Sequence, residues 1–268
     1  MARLSINELT TFRWTFEQDV QYYRAAGVDG IGVWRQKLSD FGEEKGIEML
    51  LESGLSVSSL LWAGGFTGSD GRSHKESVED AREAIRLAAA MDADCLIVYS
   101  GPRAGHTHNH ARRLVRSALD AILPLASDVD LNLAIEPMHP GCAADWTYLT
   151  ELDESLELIR AYDSPHLKLV FDTYHLCQNG SVASLLGDIV PYIALVQLGD
   201  AKEPPQGEPN RAPLGEGQLP LGEVVSALQS AGYNGYFDIE LIGEELQETS
   251  YEDLVAHSKS AFEKLIAA

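Results

Sequence analysis

Eight short apolar runs, separated by longer amphipathic stretches, constrain the fold of this sequence more than any other feature. They cover residues 3–7, 31–34, 56–62, 95–100, 131–137, 167–172, 193–198 and 236–241. Most are rich in Val, Ile and Leu and are bounded by turn residues, which is typical of buried strands; the first, RLSIN, is the weakest. Because the runs are nearly continuous in apolar residues, they predict a parallel sheet that is covered on both faces.

Helical patterns fill the intervals between these runs. Residues 76–92 have helical spacing with acidic residues in the first turns, and residues 15–27 end in a glycine. Further patterns cover residues 50–54, 110–126, 153–163, 221–232 and 251–268. Eight strand–helix units in about 260 residues is the size of a TIM (β/α)8 barrel. We therefore predict an α/β fold with a single barrel domain over residues 1–268, and a doubly wound open sheet is the main alternative.

Charge and cysteine content exclude several classes of protein. The formal net charge is −21, and so acidic a surface repels phosphate backbones and anionic lipid, so we expect no nucleic-acid and no membrane partner. The sequence has no apolar run of about 18 residues and no signal-peptide core. Cys95, Cys142 and Cys177 are odd in number and form no CxxC motif, which favours a reducing compartment. These features predict a soluble cytoplasmic protein.

Function in a barrel of this kind lies on the loops that follow the strands. The residues at the predicted strand ends are Trp34, Trp62, Ser100, Glu136, Asp172, Gln197 and Glu240. The last four are oxygen donors from four consecutive strands, and carboxylates that converge at one mouth repel one another unless a cation lies between them. The sequence therefore predicts one divalent metal ion bound by Glu136, Asp172, Gln197 and Glu240. An all-oxygen set favours Mn²⁺ or Mg²⁺, with Co²⁺ or Zn²⁺ as alternatives.

The stretch LKLVFDTYH, residues 167–175, allows two interpretations. Taken alone, it predicts a buried strand, an aspartate that caps a following helix, and a surface histidine. Taken with the other strand ends, it predicts that Asp172 and His175 are carried out of the sheet into a pocket.

The motifs IEP, FDTYH, VQLGD, RAPLGEG and FDIE follow one another between residues 131 and 241. In this order and spacing they resemble the sugar phosphate isomerase/epimerase family of xylose isomerase-like TIM barrels, and the resemblance covers essentially the whole chain. It implies a divalent metal bound by two glutamates, an aspartate and usually a histidine. It also implies that Glu136 and Glu240 transfer protons and that His175 and Arg211 contact substrate.

Two positions depart from that family's pattern. Gln197 stands where the family usually has a histidine ligand, as it does in similar 3-dehydroshikimate dehydratases. His139 and Cys142 occupy the region in which ketose 3-epimerases have a further glutamate, which argues against a ketose 3-epimerase.

Further substrate contacts are predicted on the neighbouring loops. His106 and His108 lie in GHTHNHARR, and the alternative for them is a polar loop that leads into a basic helix start. Trp34 and Trp62 end neighbouring strands, where aromatic rings commonly form the apolar wall of a sugar site. The alternative for both tryptophans is ordinary packing at the top of the barrel.

These observations predict a metal-dependent isomerase or epimerase that acts on a sugar or polyol-derived hydroxy-ketone through an enediolate. A dehydratase of the inosose or 3-dehydroshikimate type shares the first step and is the main alternative. A non-catalytic sugar-binding barrel is a third hypothesis, and an endonuclease would need a basic groove that the composition does not support. The family often forms dimers or tetramers, so a homo-oligomer is left open.

Overall fold

A computed structural model describes residues 2–178 and 182–267. In this part of the chain, eight parallel strands close into a barrel in sequence order, and β1 pairs with both β2 and β8. The strands are β1 (Arg3–Asn7), β2 (Gly30–Trp34), β3 (Ser56–Gly64), β4 (Cys95–Tyr99), β5 (Asn132–Ile135), β6 (Leu167–Asp172), β7 (Ile193–Leu198) and β8 (Tyr236–Ile239). The predicted TIM barrel is confirmed. The open-sheet alternative is wrong, because pairing of the first strand with the last leaves no sheet edge.

Ten α-helices surround the barrel within the described residues. They are α1 (Phe16–Ala26), α2 (Arg35–Phe41), α3 (Glu43–Ser53), α4 (His74–Ala90), α5 (His108–Asp128), α6 (Leu152–Tyr162), α7 (Thr173–Leu176), α8 (Ala183–Ile189), α9 (Leu221–Ser230) and α10 (Tyr251–Ala267). Two helices, rather than one, follow both β2 and β6, and the sequence patterns did not indicate α2 or α8.

Local sequence explains where several helices begin and end. Thr15 and Gln18 form a reciprocal capping box at the start of α1, and Ser73 forms the same arrangement at the start of α4. Gly27 ends α1 in the left-handed conformation, with a φ of 66°, which glycine adopts without steric cost. No helix in the described ranges is long and apolar enough to cross a membrane.

Two strands end earlier than the apolar runs suggest. β5 stops at Ile135 and β8 stops at Ile239, so Glu136 and Glu240 are the first residues of the following loops. Both side chains therefore sit at the C-terminal edge of the barrel, where the loops meet. Cys95, Cys142 and Cys177 are buried and are not joined in disulfides.

A polar layer crosses the barrel interior below this edge. Asp238 of β8 accepts hydrogen bonds from Ser5 Oγ at 2.6 Å, Asn7 Nδ2 at 3.0 Å and Ser58 Oγ at 3.3 Å. Burial raises the pKa of Asp238 to about 6 in spite of these donors. The floor of the barrel mouth is thus hydrogen-bonded rather than apolar, and Asn7 links it to the residues above.

Candidate active site

The four residues predicted to bind a metal ion lie at the C-terminal end of the strands. Asp172 ends β6 and Gln197 is the penultimate residue of β7, while Glu136 and Glu240 follow β5 and β8 directly. None of the four is more than 5% exposed. Polar side chains withdrawn from water in this way must be satisfied by one another or by a bound group.

Arg211 binds two of these carboxylates from the loop between β7 and α9. Its Nη1 and Nη2 donate to Oδ1 and Oδ2 of Asp172 at 3.1 and 2.7 Å, and Nη2 also donates to Oε1 of Glu240 at 2.8 Å. The guanidinium lies 4.7 Å from the centroid of the Tyr174 ring, and Arg211 is only 2% exposed. Its charge is therefore directed at protein carboxylates, and its substrate contact stays a prediction.

Side-chain amides hold the second oxygen of Glu240. Asn7 Nδ2 donates to Oε2 at 3.1 Å, and Gln197 Nε2 donates to the same atom. Gln197 Oε1 is buried and has no hydrogen-bond partner. Protein donors thus engage both oxygens of Glu240, while the amide oxygen of Gln197 remains available to a ligand.

Glu136, Asp172 and His175 form a compact set of donors on the other side of the site. His175 Nε2 lies 3.6 Å from Glu136 Oε1 and 3.7 Å from Asp172 Oδ2. One donor atom from each of the three residues can be chosen so that all lie within 4.8 Å of one another. Two donors that are each roughly 2.1 Å from one ion lie at most about 4.2 Å apart, so both measured distances suit a shared cation.

This donor set fits a divalent cation on a second observation as well. Glu136 Oε2 is buried without a hydrogen-bond partner, which is costly unless a bound group satisfies it. The set differs from the predicted one, because it includes His175, while Gln197 donates to Glu240 and Glu240 also accepts from Arg211. The ligand roles of Gln197 and Glu240 stay predictions.

Asp172 also caps the short helix α7. Its Oδ1 accepts a hydrogen bond from the backbone N–H of Tyr174 at 2.7 Å. The simple interpretation of LKLVFDTYH was therefore right about the strand and the cap. It was wrong about the histidine, because the single turn of α7 brings His175 back over the barrel, where it is 4% exposed.

Burial controls the protonation of these groups. Burial, followed by the charges of Glu240 and Asp172, raises the pKa of Glu136 well above its usual range. Burial also raises the pKa of Glu240 to about 7, although Arg211 opposes the change, and burial lowers the pKa of His175 to about 4. A single guanidinium facing three carboxyl groups leaves an excess of negative charge, so the site attracts a further proton or cation.

Trp34 and Trp62 line a cavity of about 450 Å³ near the C-terminal ends of β2 and β3. Their rings are stacked, with centroids 6.5 Å apart. Tyr99 and Trp146 line the same cavity and pack edge-on against Trp62. Such a wall of aromatic rings suits the C–H faces of a sugar or a cyclic polyol. Substrate contact by Trp34 and Trp62 stays a prediction.

His106 and His108 interact with residues outside that cavity. His106 Nε2 lies 3.2 Å from the carbonyl oxygen of Thr67, and His108 Nε2 lies 2.9 Å from Glu154 Oε1. Neither histidine is among the described residues that line the aromatic cavity. Their substrate contacts also stay predictions.

Sequence reasoning missed two residues of the site, Tyr99 and Asn7. β4 ends at Tyr99 rather than at the predicted Ser100, and Tyr99 lines the aromatic cavity between the tryptophans and the carboxylates. Asn7 ends β1, so the strand-end rule that selected Glu136 would have selected Asn7 had the weak first strand been included. Ser100 turns away and hydrogen-bonds to Thr147 instead.

The closed barrel is a TIM barrel, and carboxylates, an imidazole and a guanidinium form a polar cluster at its C-terminal mouth. Residues 20–261 match the model of the family described as xylose isomerase-like TIM barrel. The chain belongs to this family, and the resemblance drawn from the motifs is confirmed.

Similar proteins cover the whole length of the chain. An inosose isomerase of Bacillus velezensis is 21% identical over 282 residues, which cover 99% of this chain and 97% of that protein. The crystal structure of protein SMc04130 from Sinorhizobium meliloti 1021 is 24% identical, with a TM-score of 0.89 and 98% of each chain covered. A structure of the IolI protein with a bound zinc atom is 18% identical, with a TM-score of 0.85 and coverage of 99% and 98%. These two structures share the fold with this chain.

Proposed function

We propose that this protein is an isomerase or epimerase that acts on a small sugar or a cyclic polyol-derived hydroxy-ketone, with an inosose as the first substrate to test. The observation that carries the proposal is the placement of two buried glutamates on either side of Asp172. Glu136 lies on the His175 side, and Glu240 lies on the Arg211 side. Moving a proton to or from a carbon beside a carbonyl needs a base and an acid in such flanking positions.

The similar proteins support the choice of substrate class. The inosose isomerase of Bacillus velezensis aligns with this chain over nearly its full length, at 21% identity. The aromatic cavity agrees with a cyclic substrate, because indole and phenol rings pack well against the C–H faces of a six-membered ring.

In the proposed reaction, one glutamate removes the proton from the carbon next to the substrate carbonyl. The electrons of the C–H bond move to the carbonyl oxygen and form an enediolate, and the other glutamate returns a proton to carbon. Arg211 and Asn7 position Glu240, while His175 lies 3.6 Å from Glu136. The buried donors around the site exclude water, which strengthens their interaction with the developing negative charge.

Glu136, Asp172 and His175 would hold a divalent ion in this proposal, and Gln197 Oε1 is a further unpartnered oxygen within the cluster. When bound, such an ion supplies Lewis-acid polarisation of substrate oxygens. Mn²⁺ and Mg²⁺ remain the ions that the oxygen donors favour, and the imidazole of His175 makes Zn²⁺ and Co²⁺ fitting alternatives.

Deuterium exchange tests the proposal directly. The protein is incubated in D₂O with inososes and ketoses, with and without Mn²⁺, and NMR follows loss of the proton beside the carbonyl. We expect exchange by the wild type and a loss of about 100-fold or more in Glu136→Gln and Glu240→Gln. Glu52→Gln, an exposed glutamate on α3, is the control.

The same experiment separates the alternatives. A product lighter by one water identifies a dehydratase, since elimination follows the same proton abstraction. Ligand binding without exchange, unaffected by metal chelation, identifies a sugar-binding barrel and overturns the proposed activity.

A further inference from the structure

We infer that Arg211 and a divalent ion are alternative partners of Asp172, so that the guanidinium serves as its counter-ion until an ion displaces it. The inference rests on the proposed function, because it uses the ion site formed by Glu136, Asp172 and His175.

No oxygen of Asp172 is free of this guanidinium. Oδ1 accepts from Nη1 at 3.1 Å, and Oδ2 accepts from Nη2 at 2.7 Å. Oδ2 is also the atom 3.7 Å from His175 Nε2, at the edge of the proposed ion site. An incoming ion therefore meets an oxygen that already binds a cation. Two cations on one buried carboxylate repel each other strongly, because little water is present to screen them.

Gly199 makes the room in which the guanidinium sits. A Cβ at this position would lie 2.6 Å from Nη1 and 3.1 Å from Cδ of Arg211, and 3.2 Å from the carbonyl oxygen of Glu240. The φ of Gly199 lies outside the left-handed region, so glycine is not needed there for its backbone conformation. What the position needs is the absence of a side chain. Gly199, the glycine of VQLGD, therefore provides the space in which Arg211 reaches Asp172.

A second cavity beside Arg211 could hold its side chain after displacement from Asp172. Arg211 lines this cavity, of about 370 Å³, whose charged lining residues include Glu203, Glu208 and Lys202. The backbone of Arg211 is held by a 2.7 Å hydrogen bond from its N–H to the carbonyl oxygen of Ile242. We expect a displaced guanidinium to rotate into the second cavity, towards its two glutamates, while the loop stays in place.

Ion affinity measured by titration calorimetry with MnCl₂ and ZnCl₂ tests the competition. We expect Arg211→Met to tighten ion binding by about five- to a hundred-fold, the usual range for coupled sites, because it removes the competing charge. Gly199→Ala should tighten binding in the same range, because the added methyl group displaces the guanidinium. This second variant keeps every charged residue, so it also covers the case in which Arg211→Met fails to fold.

Gly187→Ala is the matched control, because Gly187 is an exposed glycine of α8 with nothing within 4 Å of an added Cβ. Its ion affinity should equal that of the wild type. A second readout is the ¹⁵N NMR signal of the Arg211 Nε–H, assigned by its loss in Arg211→Met. This signal should move when Zn²⁺ binds.

The outcomes separate this inference from the proposed function. If the wild type and Gly199→Ala bind ions with equal affinity and the Arg211 signal is unmoved, the competition is overturned and the ion site stands. If neither the wild type nor the variants bind an ion, the ion site itself is overturned. In that case proton exchange without added metal still tests the isomerase.

Discussion

The sulfur of Cys142 lies 3.6 Å from Nδ1 of His175, on the edge of the imidazole opposite Glu136 and Asp172. The two edges of the ring thus face different groups, and the thiol fixes the direction in which Nε2 points. A histidine that binds a metal through one nitrogen usually has a partner at the other, and losing that partner typically costs 10- to 100-fold in metal affinity.

We therefore expect Cys142→Ala to weaken Mn²⁺ or Zn²⁺ binding by about tenfold, and Cys142→Ser, which keeps a polar atom beside Nδ1, to weaken it less. Titration calorimetry measures both. Cys95→Ala is the control, because the Cys95 thiol is buried against the Ser58 carbonyl instead. Identical affinities in all four proteins would mean that His175 does not bind the ion.

Asp200 organises the loop that carries Arg211. Its carboxylate accepts four backbone hydrogen bonds, from the N–H groups of Ala201 at 2.8 Å, Gly215 at 2.9 Å, Gly217 at 3.0 Å and Leu219 at 3.1 Å. Asp200 is 1% exposed, and an added Cβ at Gly217 would lie only 2.1 Å from its Oδ1. One carboxylate therefore closes both ends of the loop.

We expect Asp200→Ala to lower the free energy of unfolding by about 3 kcal/mol, because several charge-assisted hydrogen bonds are lost together. Amide hydrogen exchange over residues 200–220 should accelerate, while exchange in β1 to β6 stays unchanged. Glu203→Gln, an exposed carboxylate of the same loop, is the control and should alter neither quantity. Uniform acceleration across the barrel would contradict a role confined to the loop.

The barrel and the location of its site could be predicted because the relevant signals are local. Each apolar run specifies a strand by its own composition, and the carboxylates follow those runs directly in sequence. The loop after β6 is different: α7 is a single turn, and only its three-dimensional course returns His175 to the barrel mouth. The histidine therefore had two interpretations until its surroundings were known.

The partners of the carboxylates could not be predicted, because they come from distant parts of the chain. Arg211 is 39 residues from Asp172, and its direction depends on a loop closed by Asp200 and on the space left by Gly199. Asp238, two residues before Glu240, could be assigned to the interior by strand periodicity. The hydroxyl groups that donate to Asp238 come from β1 and β3, so the sequence around FDIE does not indicate them.

Intrinsic fluorescence should report on ligand binding. Of the four tryptophans, Trp34, Trp62 and Trp146 line the aromatic cavity, whereas Trp14 stacks on Tyr22 outside it. We expect a sugar or inosose ligand to change the emission of the wild type and of Trp14→Phe alike. Trp62→Ala should reduce ligand affinity by about tenfold, because stacking area is lost. Unaltered affinity in Trp62→Ala would place the substrate elsewhere.

Breaking a buried ion pair behind β1 and β2 should destabilise the barrel. Lys37 Nζ pairs with Asp19 Oδ2 and also donates to the carbonyl oxygens of Glu8 and Thr11, at 3.2 and 2.9 Å. We expect Lys37→Met to cost about 3–5 kcal/mol, because it leaves a buried carboxylate without its cation. Urea unfolding measures the change, and Lys45→Met on the exposed face of α3 is the control. A loss below about 1 kcal/mol would be typical of an exposed pair and would contradict this account.

The same cluster predicts a pH dependence of stability. Burial, followed by the charge of Asp19, raises the pKa of Glu8 well above its usual range, and Glu8 Oε1 has no hydrogen-bond partner. A carboxyl group with a raised folded-state pKa stabilises the protein fully below its unfolded pKa. That contribution is lost as the pH rises through the folded pKa, at about 1.4 kcal/mol for each unit between the two values.

Glu8→Gln, which does not titrate, should therefore lose stability relative to the wild type at pH 4.5 and match or exceed it at pH 8. Urea unfolding free energies measured across this range give the difference between the two proteins, and Glu52→Gln serves as the exposed control. A difference that stays constant from pH 4.5 to pH 8 would show that Glu8 keeps an ordinary pKa in the folded barrel.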